Sequence, residues 1–152
     1  MVTQPLTLEN PDDHRVFYSR DPILKWRNYL SEFEVVEPFD VLWIDERGKT
    51  LSQFTVDAGF MTDLASIPRI VRSIIPQVAH HLQPAVTHDW LYQYDQGLTR
   101  AQADLMFLEG MRDEGVGRIR RNVMYRGVRV GGARAWGPDK VRYGLFDPWD
   151  FF

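Results

Sequence analysis

His88-Asp89-Trp90-Leu91-Tyr92-Gln93-Tyr94-Asp95-Gln96-Gly97-Leu98-Thr99-Arg100-Ala101-Gln102-Ala103-Asp104 decides how the second half of this chain folds. Its right-hand end opens a helix. Thr99 followed by Gln102 is a capping box, in which each side chain meets the other residue's backbone N–H. Asp104, Phe107, Leu108 and Met111 then recur at i, i+3, i+4 and i+7, the spacing of a core-facing stripe. The helix should run to about Asp113, where Gly115 and Gly117 end it. The left-hand end is helical as well. It starts near Pro84, a residue suited to a first turn, and runs to about Tyr94. Asp95-Gln96-Gly97 is a turn, and a connection as short as 95–98 makes the two helices antiparallel neighbours.

The same stretch carries the chemistry. On a helix His88 and Tyr92 are four apart and Asp89 and Tyr92 three apart, which puts the three polar groups on one side. Asp104 is a carboxylate on an otherwise apolar stripe, costly to bury without a partner. It is expected to face His88 and Tyr92. An imidazole donating one ring N–H to such a carboxylate has a fixed tautomer, and its other nitrogen is left to activate water or bind a metal. Asp89 and Asp63 supply oxygens suited to a hard cation, so Asp63, His88 and Asp89 form a candidate set for Ca²⁺ or another divalent metal. The bland alternative gives each of these groups a structural role: Asp104 satisfies a buried His88 or Tyr92, and Asp63 caps a turn. His80 and His81 are adjacent, point apart on a helix and make a poor ligand pair. Ser66 lies in no nucleophile elbow and reads as a helix cap.

Outward from this core the chain reads as α+β, a small N-terminal antiparallel sheet followed by three to four helices. Residues 1–32 are interrupted by Pro5, Pro11 and Pro22 and form an N-terminal arm, with a short strand around Arg15 to Tyr18 as an alternative. Residues 33–136 make one globular domain. Phe33–Val36, Val41–Ile44 and Leu51–Val56 are strands, and Asp45 to Lys49 is a turn with Gly48 at its special position. Gly59 to Arg69 is a loop feeding a short helix over Arg69 to Ile75. A last helix runs from about Arg118 to Val130. Residues 137–152 are a tail, with five aromatics in its final ten residues, that docks on the core or on a partner subunit.

Composition sets the outer bounds. The chain of 152 residues, 44% hydrophobic and 26% charged, is that of an ordinary globular domain. A net charge of −3 gives no global pull toward nucleic acid or an anionic membrane. The five arginines from Arg118 to Arg129 look scattered round their helix, a solvated face with ion pairs. Nucleic acid is therefore not expected as a partner. Cysteine is absent, which excludes disulfides and thiolate chemistry. No apolar run is long enough to span a bilayer, and Met1 to Asp13 lacks the regions of a signal peptide. Synthesis in a cytoplasm is the corresponding expectation.

Two resemblances rest on these residues. Gly59-Phe60-Met61-Thr62-Asp63-Leu64-Ala65-Ser66-Ile67-Pro68-Arg69, then His88 to Tyr92, then Ala103-Asp104 with Phe107, then Arg126 to Gly132, resembles an uncharacterised domain family of tailed bacteriophages and prophages. That likeness covers roughly residues 54–136 and implies a phage-related origin. Locally, His88-Asp89-x-x-Tyr92 with Asp104 and Phe107 is similar to the catalytic helix pair of secreted phospholipases A2. This second likeness implies His88 as general base for water, Asp89 as calcium ligand, and Asp104 with Tyr92 as the pair that orients the base. The chain lacks the disulfides and the glycine-rich calcium loop of those enzymes.

The resulting expectation is a phage-encoded, metal-assisted hydrolase acting on an ester or cell-envelope substrate. Its rival is a virion component of the tail tip or baseplate, in which the His–Asp network is a buried clamp. The proline-rich arm and the aromatic tail, suited to contacting other virion proteins or a second copy, belong to that rival.

Overall fold

A computed structural model describes residues 14–28, 32–62 and 82–137. The expected helix over 69–75, Asp63, Ser66, the His80-His81 pair and the aromatics of the tail lie outside the described residues.

Two three-stranded antiparallel sheets stand where a single small sheet is expected. One has the order β1 (Arg15–Tyr18), β4 (Phe39–Ile44), β5 (Thr50–Val56). The other has the order β2 (Leu24–Arg27), β3 (Glu32–Val35), β6 (Met61–Thr62). Each sheet takes a strand from the N-terminal segment: β1 is the short strand expected there as an alternative to the arm, and β2 is not among the expected strands. Pro38, which cannot donate to a ladder, sits where the chain leaves one sheet for the other. Backbone bonds from Val35 N to Phe60 O (2.9 Å) and from Gly59 N to Val35 O (2.8 Å) tie the end of β3 to the approach to β6.

The alternation of β4 dictates its packing. Phe39, Val41 and Trp43 point inward and are buried, with polar or half-buried residues between them. Across the ladder Phe39 pairs with Val56 and Val41 with Phe54, also inward, and Trp43 faces Val16 of β1. The hairpin closes as its sequence requires. Asp45 Oδ1 accepts from the backbone N–H groups of Arg47 and Lys49, both at 2.9 Å, and Gly48 has a φ of 78°.

Among the described residues three helices follow: α1 (Leu82–Gln93), α2 (Arg100–Asp113) and α3 (Arg118–Gly131). The capping box is in place, with Gln102 N donating to Thr99 Oγ1 at 3.2 Å and Thr99 N to Gln102 Oε1 at 2.9 Å. At the far end of α2, Gly115 takes the left-handed conformation. Gly115 N then bonds Arg112 O (3.0 Å) and Val116 N bonds Met111 O (2.8 Å), meeting two of the last carbonyls. Helix α2 packs against α1, α3 and β1, and is buried on most of its circumference. Ala103, Leu105 and Met106 join the core of the sheets and α1, whereas Phe107 and Met111 join Met124 and Val128 beneath α3. Among the described residues no helix is long and apolar enough to cross a membrane.

Burying α2 on the sheet side draws in a carboxylate that the sequence pattern does not mark. Glu109 has no exposed surface. Its Oε1 lies 2.8 Å from His14 Nδ1 and its Oε2 accepts from Trp43 Nε1 at 2.5 Å. The backbone beside His14 is tied to the same helix. Arg112 donates to His14 O, and Val16 N donates to Asp113 Oδ2 at 2.8 Å. Burial pushes the Glu109 carboxyl from its ordinary 4.5 up to about 7, against the opposing pull of His14, Trp43 and Arg112. The folded state thus holds this proton more tightly than the unfolded chain. Glu109's contribution to stability is full below its ordinary 4.5 and is lost as pH rises through about 7. Urea unfolding across this range should show a downward slope in wild type that Glu109→Gln removes. An unchanged slope in the variant would contradict the assignment.

Candidate active site

Asp104 sits in the first half of α2 with no exposed surface, and donors reach it from all three helices. From α1, His88 Nε2 lies 2.7 Å from Oδ1 and the Tyr92 hydroxyl donates to the same oxygen at 2.5 Å. From α3, Arg129 Nη1 donates to Oδ2 at 2.7 Å. One turn back on α2 itself, Arg100 Nη1 is 3.5 Å from Oδ2. Arg100 also donates to the carbonyls of Val128 and Arg129 near the end of α3, so a single guanidinium spans both helices.

Burial on its own would raise the Asp104 carboxyl. The hydrogen bonds from His88, Tyr92 and Arg129 outweigh it and hold the group below its ordinary value. Asp104 is therefore an ionised acceptor. It has no proton to offer His88, and Nε2 must carry the hydrogen of their shared bond. In the neutral ring this leaves Nδ1 bare. Among the described residues the buried His88 Nδ1 has no hydrogen-bond partner. The Tyr92 hydroxyl is pushed well above its ordinary value by burial, then by its bond to Asp104 and that group's charge, with Arg100 opposing. It remains a donor.

The imidazole is positioned by rings as well as by Asp104. Its centroid is 4.2 Å from Tyr92 and 4.7 Å from Phe107, which follows Asp104 by three residues on α2. Tyr92 is held in turn by Trp136, edge-on at 5.1 Å, and its carbonyl accepts from Gly137 N at 2.9 Å. Gly132 lets the chain pass this close. A Cβ there would lie 2.6 Å from the Tyr92 hydroxyl and would also meet the Val128 carbonyl.

The structure brings His88, Tyr92 and Asp104 together and sends Asp89 elsewhere. Asp89 is buried, and its Oδ2 accepts from Thr62 Oγ1 of β6 at 2.5 Å. The reason is angular: residues 88 and 89 are about 100° apart on a helix, so one faces α2 and the other the small sheet. Asp63, the other expected ligand, lies outside the described residues. Among the described residues no group of three or more His, Cys, Asp or Glu side chains is arranged to hold a metal ion.

Arg129, Arg100 and Gly132 are members of this cluster that sequence reasoning passed over. Arg100 carries a readable sign, its i, i+4 spacing to Asp104. Arg129 and Gly132 carry none, because their place depends on how α3 crosses α2. Replacing Asp104 by Asn leaves Arg129 without its ion pair. Since Arg129 keeps 33% of its side-chain surface exposed, the expected loss is about 3 kcal/mol, the lower end for a broken buried pair. The lowered Asp104 value means that this stability is present above its ordinary 3.8 and is lost as pH falls through the folded value. Acid titration of unfolding should show that limb in wild type and not in Asp104→Asn.

Comparison with known proteins places the chain in a family. The family described as "Protein of unknown function (DUF1353)" matches residues 33–128, and the chain belongs to it. No curated protein and no solved structure matches the chain.

Proposed function

We propose that this member of the DUF1353 family is a phage-encoded hydrolase in which His88 activates water through Nδ1. The observation that carries the reading is a buried ring nitrogen without a partner on an imidazole whose other nitrogen is fixed by an ionised carboxylate. Buried polar atoms without partners are few in folded proteins, and one on a carboxylate-held histidine has the form of a general base. Nδ1 takes a proton from water, and the hydroxide attacks an ester carbonyl. The imidazolium so formed is stabilised by Asp104 through the Nε2–H bond, and the proton passes to the leaving alkoxide. Tyr92 and Arg129 hold Asp104 still during this exchange. Asp89 accepts from Thr62, and Asp63 follows Thr62 in the sequence. Asp89, on the side of α1 that faces β6, and Asp63 would be the ligands of a divalent cation such as Ca²⁺.

The burial of His88 and Asp104 favours a second reading. In it the cluster clamps three helices of a virion component, in the tail tip or baseplate, and performs no chemistry.

The two readings separate in one set of assays on the purified full chain. Ester hydrolysis is followed with phospholipid and soluble acyl esters, Ca²⁺ and Zn²⁺ binding by calorimetry, and stability by thermal melt, in wild type, His88→Ala and His88→Gln. The hydrolase predicts a rate loss of about a hundredfold or more in both variants, typical of a lost general base. Absent metal affinity together with hydrolysis unchanged in both variants refutes it. Loss of melting temperature with no wild-type hydrolysis favours the clamp.

A further inference from the structure

Helix α3 has one more face than the fold uses. Met124 and Val128 are its buried residues. Directly opposite, Ile119, Val123, Arg126 and Val130 follow i, i+4, i+7 and i+11, a single stripe along the outside. Ile119 is 84% exposed, Val130 87% and Val123 41%. Large aliphatic side chains this open are unusual as a row, although single ones are common on any surface.

The charges on the helix are all of one sign. Helix α3 carries five arginines and no acidic residue, in a chain of net charge −3. Arg129 is turned inward to Asp104, and Arg121 is tied to the Val116 carbonyl at 3.0 Å. The remaining three surround the stripe: Arg126 lies within it, and Arg118 and Arg120 fall about 100° to either side of Ile119. Arg118 and Arg126 are exposed.

We infer that the outer face of α3 is a docking surface for an anionic phospholipid bilayer. An aliphatic row flanked by guanidiniums is the pattern of a helix lying in a membrane interface. The aliphatic groups enter the acyl boundary, while the long arginine side chains stay among the headgroups. The alternatives fit less well. A nucleic-acid surface would place polar or aromatic groups between its arginines for base edges or stacking, and this stripe holds aliphatic groups instead. Three aliphatic residues are too few to hold a bilayer without charge, so docking requires anionic lipid and weakens with salt. The surface stands on its own geometry and does not depend on whether His88 performs chemistry. The same helix carries Arg129, which grips Asp104.

The test is flotation of the purified full chain with vesicles. One set is phosphatidylcholine alone, the other contains about one third phosphatidylglycerol, each at low and high salt. Double-stranded DNA and polyglutamate are run as competing ligands. Each arginine near an anionic surface should contribute roughly fivefold in affinity. The paired variant Arg118→Glu with Arg126→Glu should therefore lose at least about twentyfold. Ile119→Ser with Val130→Ser should lose binding at both salt concentrations. Both pairs change exposed residues, and a wild-type melting curve confirms that the fold is kept. Binding to the anionic vesicles that falls in both pairs supports the inference. Absence of binding to anionic vesicles, binding indifferent to the serine pair, or preferential capture by DNA or polyglutamate overturns it. Hydrolysis is not measured in this experiment, so its outcome is independent of the proposed activity.

Discussion

A carboxylate with no surface of its own must be met by donors, and Asp104 is met from each of the three described helices. His88 and Tyr92 approach from α1, Arg129 from α3, and Arg100 from one turn back on α2. These bonds tie the three helices to one another. Moving α1 strands the imidazole and the phenol, and moving α3 strands the guanidinium. Gly132 and Trp136 extend the constraint beyond α3, since the first leaves room for the Tyr92 hydroxyl and the second packs on the Tyr92 ring.

Glu109 plays the corresponding part toward the sheet. The two carboxylates are five residues apart on α2 and turn to different sides. Asp104 faces the helices, and Glu109 reaches His14 and Trp43. Their electrostatics differ because their donors differ. Asp104 is met by an imidazole, a phenol and a guanidinium, which together outweigh its burial, and it stays ionised. The side chains that hydrogen-bond Glu109 are an imidazole and an indole, and burial prevails there. One helix thus carries a fixed anion on one side and a group that titrates near neutrality on the other.

How much of this is legible in the sequence depends on how local the physics is. Thr99 and Gln102 make their bonds within one turn, Gly115 its left-handed cap and Gly48 its hairpin within five residues, and all four can be read directly. Asp104 is legible because a carboxylate on an apolar stripe demands a partner, and His88 stands one short connection away. Glu109 is not. Its partners lie 95 and 66 residues upstream, and Leu105 and Met106 beside it give no sign that the sheet reaches that side of the helix. Strand β2 is missed for a similar reason, since four residues after Pro22 carry no periodicity until β3 pairs with them. The separation of Asp89 from His88 follows from helix geometry, yet its destination, Thr62, depends on where β6 lies.

The central claim is that Asp104 accepts from Nε2–H of His88 and leaves Nδ1 bare. Nitrogen-15 NMR of the histidine side chains, with His88 assigned through His88→Gln, tests it directly on the neutral ring. The account predicts a protonated Nε2 correlated with the ring C–H groups and an Nδ1 at the shift of an unprotonated nitrogen. A His88 ring protonated at Nδ1 and bare at Nε2 would contradict it.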